Sequence, residues 1–93
     1  MGKKYIKRPV VIEAIQFTRD NINKYIDFTA GNLRNIKIPR CIDGIMTGEI
    51  ETLESQHGLH TVTENDYIIK GIEGEFYPCK PNIFIQTYER WRD

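Results

Sequence analysis

Two histidines, two cysteines, a run of glutamates and a hairpin carrying tyrosines and lysines are the side chains of this chain with types suited to chemistry. His57 and His60 stand three apart, a spacing that shares a metal only where both rings lie on one helical face. Gly58 sits between them, and neither a second Cys or His pair nor a CxxC accompanies them. Solvated histidines are therefore expected, and no metal or other cofactor. Cys79 adjoins Lys80, and a neighbouring cation favours the thiolate. A nucleophile also needs a base and an orienting group, and neither can be named here, so an inert, half-buried thiol is expected. Glu49, Glu51 and Glu54 offer paired carboxylates for acid and base work, although isolated carboxylates are commonplace on a solvated sheet face. The chain contains no glycine-rich phosphate loop, nucleophile elbow or HExxH, and the expectation is a protein that is not an enzyme.

Residues 74–84, GEFYPCKPNIF, place a glycine, two prolines three apart, a cysteine and three aromatics in eleven positions. PCKP matches the PxxP spacing read by aromatic-lined grooves, but such ligands sit in exposed proline-rich segments, and this one is wedged between a hairpin and an aromatic stretch. Pro78 and Pro81 lack amide hydrogens, so strand pairing is expected to stop there, and Pro81 suits the first turn of a helix. Tyr67, Lys70, Glu75, Tyr77 and Lys80 lie on or beside the two hairpin strands. A polar and aromatic face of that kind is how small β modules hold nucleotides, peptides or partner proteins. These five are the candidate ligand- or partner-binding residues; the competing role for Tyr67 and Tyr77 is to close the core with their hydroxyls in water.

The elements that must position them follow from periodicity. PVVIEAIQF, residues 9–17, is rich in β-branched residues with apolar side chains on both alternating sets, which predicts a strand covered on both faces. The period then changes: Ile22, Tyr25, Ile26 and Thr29 are spaced for one helical face, with Asp20 to cap its start and Gly31 to end it in the left-handed region. Short strands are predicted over 34–38, 49–54 and 59–63, with turns at Asp43-Gly44 and Glu64-Asn65 and a loop at 56–58. Residues 66–70 and 75–78 form a hairpin across Gly71 to Gly74, whose glycines supply positive φ. One helical turn at 82–84 then leads into a last strand over 85–91. The fold class is α+β: a small single domain over residues 1–93, mostly antiparallel sheet of about five to seven short strands, with one amphipathic helix after the first strand. Six of the aromatics fall in the last third, which weights the expected core to that half.

Composition limits the partners. Thirteen basic residues balance thirteen acidic ones, so no net field collects phosphate backbones. Lys3, Lys4, Lys7, Arg8, Arg90 and Arg92 cluster at the two ends and would carry a nucleic-acid alternative if the ends met. No apolar run approaches the length of a membrane span, and the short basic start is followed by no apolar h-region. With two lone cysteines, that places the expected protein in a cytoplasm with its thiols reduced. Sheet edges left by 93 residues favour a homo-oligomer.

KYIKRPVVIEAIQFTRDN at the start, IETLE in the middle and NDYIIKGIEGEFYPCKPNIFIQTYE at the end resemble a largely uncharacterised family of small phage and prophage proteins. The likeness runs from Lys4 to Glu89. Its pattern is a Gly-Asp-Tyr or Gly-Asp-Trp hairpin start, Gly-Glu-Phe-Tyr-Pro, and Lys-Pro-Asp-Ile-Phe leading to Thr-Tyr-Glu. Asn65 stands where the pattern has Gly, and Asn is the next residue best able to hold a left-handed turn. Asn82 stands where it has Asp, keeping a short polar side chain but losing a carboxylate. Both changes keep turn chemistry, which favours a structural role for the motif. The resemblance implies an accessory binding protein in a bacterial host cytoplasm, acting on a host protein or defence pathway, or alternatively sequestering a small nucleotide signal.

Overall fold

The computed structural model describes residues 2–6, 8–20, 22–41, 43–51 and 59–91 of the 93. Among them, six strands and two helices run in the order β1 (Glu13–Gln16), α1 (Ile22–Phe28), β2 (Leu33–Lys37), β3 (Thr47–Ile50), β4 (His60–Thr63), β5 (Tyr67–Lys70), β6 (Phe76–Cys79) and α2 (Pro81–Thr87). The strands form two antiparallel three-stranded sheets, ordered β1-β5-β6 and β2-β3-β4. The architecture is the small α+β domain that the patterning predicts. Lys7, Leu53, Glu54, His57, Arg92 and the loop expected at 56–58 lie outside the described residues.

α1 forms where the period of the apolar residues switches from two to 3.6. Tyr25 is its buried residue, and Ile22 and Phe28 pack against the core on either side of it. Ile26, predicted to share that face, is instead exposed, and Phe28 takes its place. The Tyr25 hydroxyl donates to the Asp20 carboxylate and accepts the Thr18 amide, at 2.8 and 2.9 Å. Thr18 and Tyr25 together hold the exposed Asp20 carboxyl at a pKa of about 2. The helix ends as predicted: Gly31 adopts φ 82° and its amide reaches back to Ile26 O at 2.9 Å. Thr29, fully buried, closes its hydroxyl onto Tyr25 O and accepts the Leu33 amide, so its burial leaves no polar atom stranded.

The core lies between the sheets and α1 and consists of Phe17, Tyr25, Leu33, Met46, Ile50, Val62, Ile68 and Phe76. It draws on the whole chain rather than on the C-terminal half, because the late aromatics form a second cluster described below. β1 also differs from expectation. It is an edge strand of four residues, and Val10 and Val11 precede it in exposed positions. The strand covered on both faces is β5, whose Ile68 and Ile69 are both fully buried. Apolar residues on both alternating sets identify hydrophobic content, but only a neighbour on each side makes a strand central.

The predicted last strand over 85–91 is overturned. Pro81 opens a helix that continues to Thr87, and the Tyr88 amide closes it onto Phe84 O at 2.9 Å. The alternation of Ile85, Thr87 and Glu89 with Gln86, Tyr88 and Arg90 competes here with the i, i+4 pair Phe84 and Tyr88, and the helix wins because it lays both rings toward the hairpin.

Candidate partner-binding face

The hairpin of β5 and β6 begins at a turn in which Asn65 adopts φ 77°, the left-handed geometry expected of it. Its amide donates to Phe17 O at 2.7 Å, and the Phe17 amide donates to Asp66 O at 2.8 Å, so the turn is fastened to the end of β1. At the far end Gly74 adopts φ 81°, and the Gly71 amide donates to Glu75 O at 2.8 Å. A Cβ at Gly71 would fall on the Glu75 carboxylate, which bends back to accept the Glu73 amide. Glu75 therefore serves its own turn.

The bond from Gly71 to Glu75 fixes which pairs of the hairpin exchange hydrogen bonds. Alternation makes Ile69 with Tyr77 and Tyr67 with Cys79 the bonded pairs, and Pro78, opposite Ile68, a non-bonded one. The nitrogen of Pro78 thus points to the open side of an edge strand, where no amide hydrogen is needed. Pairing accordingly continues one residue past Pro78 rather than stopping there. PCKP divides between β6 and the first residue of α2.

Register also sorts the five candidate residues. Tyr67, Ile69, Tyr77 and Cys79 share one face of the sheet with Ala14, while Lys70, Ile68 and Phe76 share the other with Glu13 and Ile15. The second of these faces meets the main core through Ile68, Phe76 and Ile15. On the first, Phe84 stacks on Tyr67 at 3.8 Å between centroids with only 7° between the rings, and Tyr88 follows at 5.0 Å from Phe84. Tyr67, Tyr77, Phe84 and Tyr88 are all half-buried. The structure therefore brings Tyr67 and Tyr77 to one surface, sends Lys70 to the other and turns Glu75 aside.

Lys80 has a different partner. Its ammonium lies 3.2 Å from both oxygens of Asp66 and 3.0 Å from the Thr63 hydroxyl. The Asp66 side chain is 3% exposed and also accepts the Thr63 amide at 2.9 Å and the Thr63 hydroxyl at 3.0 Å. Sequence reasoning passed over Asp66; the signal available was a short acidic residue directly after a left-handed turn. This clamp joins the start of the hairpin to the start of α2 and so sets the helix over the sheet.

Burial pushes the Tyr77 hydroxyl up to about 12, with Tyr88 adding to the effect. Because that lies above the ordinary value of 10.0, the contribution to stability is complete below pH 10.0 and is lost as the pH rises through about 12. In an alkaline absorbance titration the last tyrosine to ionise is expected to be Tyr77, and Tyr77→Phe should delete that step. Retention of the step in the variant would refute the assignment. Burial, and next the Asp66 carboxylate, push the Cys79 thiol up as well. The activation by Lys80 considered from sequence is thereby reversed, since Lys80 is turned to Asp66.

Of the remaining candidates, Glu49 and Glu51 are occupied by neighbours. Glu49 accepts Asn35 Nδ2 at 2.9 Å, and Glu51 pairs with Arg34 at 3.3 Å. Glu64 accepts Arg19 at 2.8 Å and the Met46 amide at 3.0 Å, and Arg19 above all lowers its pKa. His60 is exposed on β4, Cys41 and Cys79 are both free thiols, and among the described residues no three His, Cys, Asp or Glu side chains gather to hold a metal. Among the described residues, no helix is long and apolar enough to cross a membrane. Compared with protein-family models, with curated proteins and with solved structures, the chain matches none.

Proposed function

We propose that this chain is a non-catalytic binding protein that engages a protein partner through the outer face of the β1-β5-β6 sheet. The observation that carries the reading is the half-exposed aromatic ladder Tyr67, Phe84, Tyr88, whose last two rings are carried by α2, a helix of only seven residues, and its C-cap. Tyrosines at such positions supply large, stiff contact area with a polar end, the composition enriched at interface cores. Ile83 and Ile85 of α2 stand exposed beside it. The resemblance to phage and prophage proteins suggests a host-encoded protein as the partner and a bacterial cytoplasm as the place. A nucleotide signal fits this face less well. The ring face of Tyr67 that would stack on a base is taken by Phe84, and the Lys80 ammonium that would meet a phosphate is taken by Asp66.

The test compares immobilised wild-type chain with the Ile83→Asp/Ile85→Asp variant in bacterial lysate, alongside a thermal-shift panel of mono-, di- and cyclic nucleotides. A protein retained by the wild type and released by the variant is expected, with a flat nucleotide panel. Saturable stabilisation by a nucleotide that vanishes in Tyr77→Ala and Lys80→Ala would replace this reading with the small-ligand one.

A further inference from the structure

We infer that two copies of this chain pair through the outer edge of β1 and the described part of the segment that precedes it, residues 2–6 and 8–12. The inference is independent of the partner-binding face above, which lies on α2 and the hairpin.

Surface area carries the argument furthest. The folded chain exposes 7689 Å², whereas a compact monomer of 10.9 kDa exposes about 5,600 Å². The excess, roughly 2,100 Å², is more than the ~800 Å² that each partner buries in a standard interface. The radius of gyration points the same way: 14.9 Å with a longest extent of 52 Å, against about 12 Å for a compact chain of this length. Residues 2–6 and 8–11 are all exposed, and they include Tyr5 at 90%, Ile6 at 91%, Val10 at 46% and Val11 at 59%. An arm of this length can reach some 35 Å when extended. It is the part of the chain best placed to account for the excess.

The arm leads directly into a strand that lies at the edge of its sheet, with no strand on its outer side among the described residues. Because the Phe17 amide donates to Asp66 O, Ile15 and Glu13 are the β1 residues bonded to β5, and Ala14 and Gln16 turn their backbone groups outward. An exposed β-branched segment and an open strand edge on one chain complement each other in a second copy. Antiparallel pairing about a two-fold axis covers both at once, whereas an unrelated partner would cover one and leave the other. Charge agrees with the antiparallel sense, which sets Lys3, Lys4 and Arg8 of one arm against the end of the partner copy that carries Glu13 rather than against the other arm. Pro9 removes a donor within the arm and opposes continued strand addition, which favours a closed pair over a fibre.

Sedimentation of the full chain over a range from low micromolar to several hundred micromolar is expected to reach twice the 10.9 kDa chain mass and stop there. Val10→Asp/Val11→Asp should weaken association at least tenfold while leaving the far-ultraviolet circular dichroism unchanged, since both side chains are exposed in the single chain. Hydrogen exchange at Ala14 and Gln16 should slow as the dimer forms. A single-chain mass at every concentration, growth beyond two copies, or a dimer that neither the substitutions nor the exchange at β1 registers would each overturn the inference. None of these results alters the test of the partner-binding face.

Discussion

Asp66→Ala is expected to lower the unfolding free energy by about 2–4 kcal/mol. The carboxylate is almost wholly enclosed and accepts from the Thr63 amide, the Thr63 hydroxyl and the Lys80 ammonium. Alanine removes the acceptor of all three donor groups and leaves the Thr63 amide without that partner. Lys80→Ala should cost less, about 1–2 kcal/mol, because the Lys80 side chain is 57% exposed, solvent screens its charge, and the carboxylate keeps both Thr63 donors. Urea unfolding read by circular dichroism measures both, and a common slope would show that the denatured ensemble is unchanged. If Asp66→Ala stayed within about 0.5 kcal/mol of wild type, the clamp would carry no energetic weight. The double variant completes a cycle whose coupling term isolates the pair.

That clamp marks the limit of what the sequence alone makes legible. Turn chemistry is local, so Asn65, Gly74 and Gly31 were identifiable as left-handed positions from residue type and neighbours. The hairpin between them followed, since its length and its two glycines restrict how it can close. Burial of Asp66 is another matter: it arises because Lys80, fourteen residues on, returns across β6 to meet it, and no local pattern encodes that return. The start of α2 at Pro81 was legible, but its continuation to Thr87 was missed for the same reason. Ile85, Thr87 and Glu89, opposed to Gln86, Tyr88 and Arg90, read as strand until Tyr67, seventeen residues before Phe84, supplies a ring for Phe84 to stack on. The placing of β1 failed differently, because PVVI is apolar enough for a central strand, yet all four of its residues precede the strand, which begins at Glu13. Of the five candidate residues, Tyr67 and Tyr77 share a face because their positions differ by an even register shift, which sequence fixes once the turn is known. Lys70 departs from them by that same parity.

Phe17→Ala should be the most damaging single substitution, costing about 3–5 kcal/mol. Phe17 is fully buried where β1, α1 and the turn at Asn65 converge, and its ring meets Tyr25 edge-on at 5.3 Å between centroids. Removing it opens a cavity between the two sheets, also bordered by Gly48 of β3, where a Cβ would lie 3.5 Å from the Phe17 ring. Backbone bonds hold both sides of that cavity, from Asn65 to Phe17 O and from Phe17 to Asp66 O, so collapse around it is restricted and the upper part of the range applies. A domain of 93 residues has only about 5–15 kcal/mol in total, and this loss would leave it close to unfolding at room temperature. Phe17→Leu removes three side-chain carbons and should cost about 2–3 kcal/mol, at roughly 0.8 per methylene-sized group lost. The measurement is the urea midpoint of the two variants against wild type. A Phe17→Ala chain that unfolds within about 1 kcal/mol of the Phe17→Leu chain would mean that the sheets close over the vacancy. The junction of β1 with the turn would then be a soft part of the fold rather than its anchor.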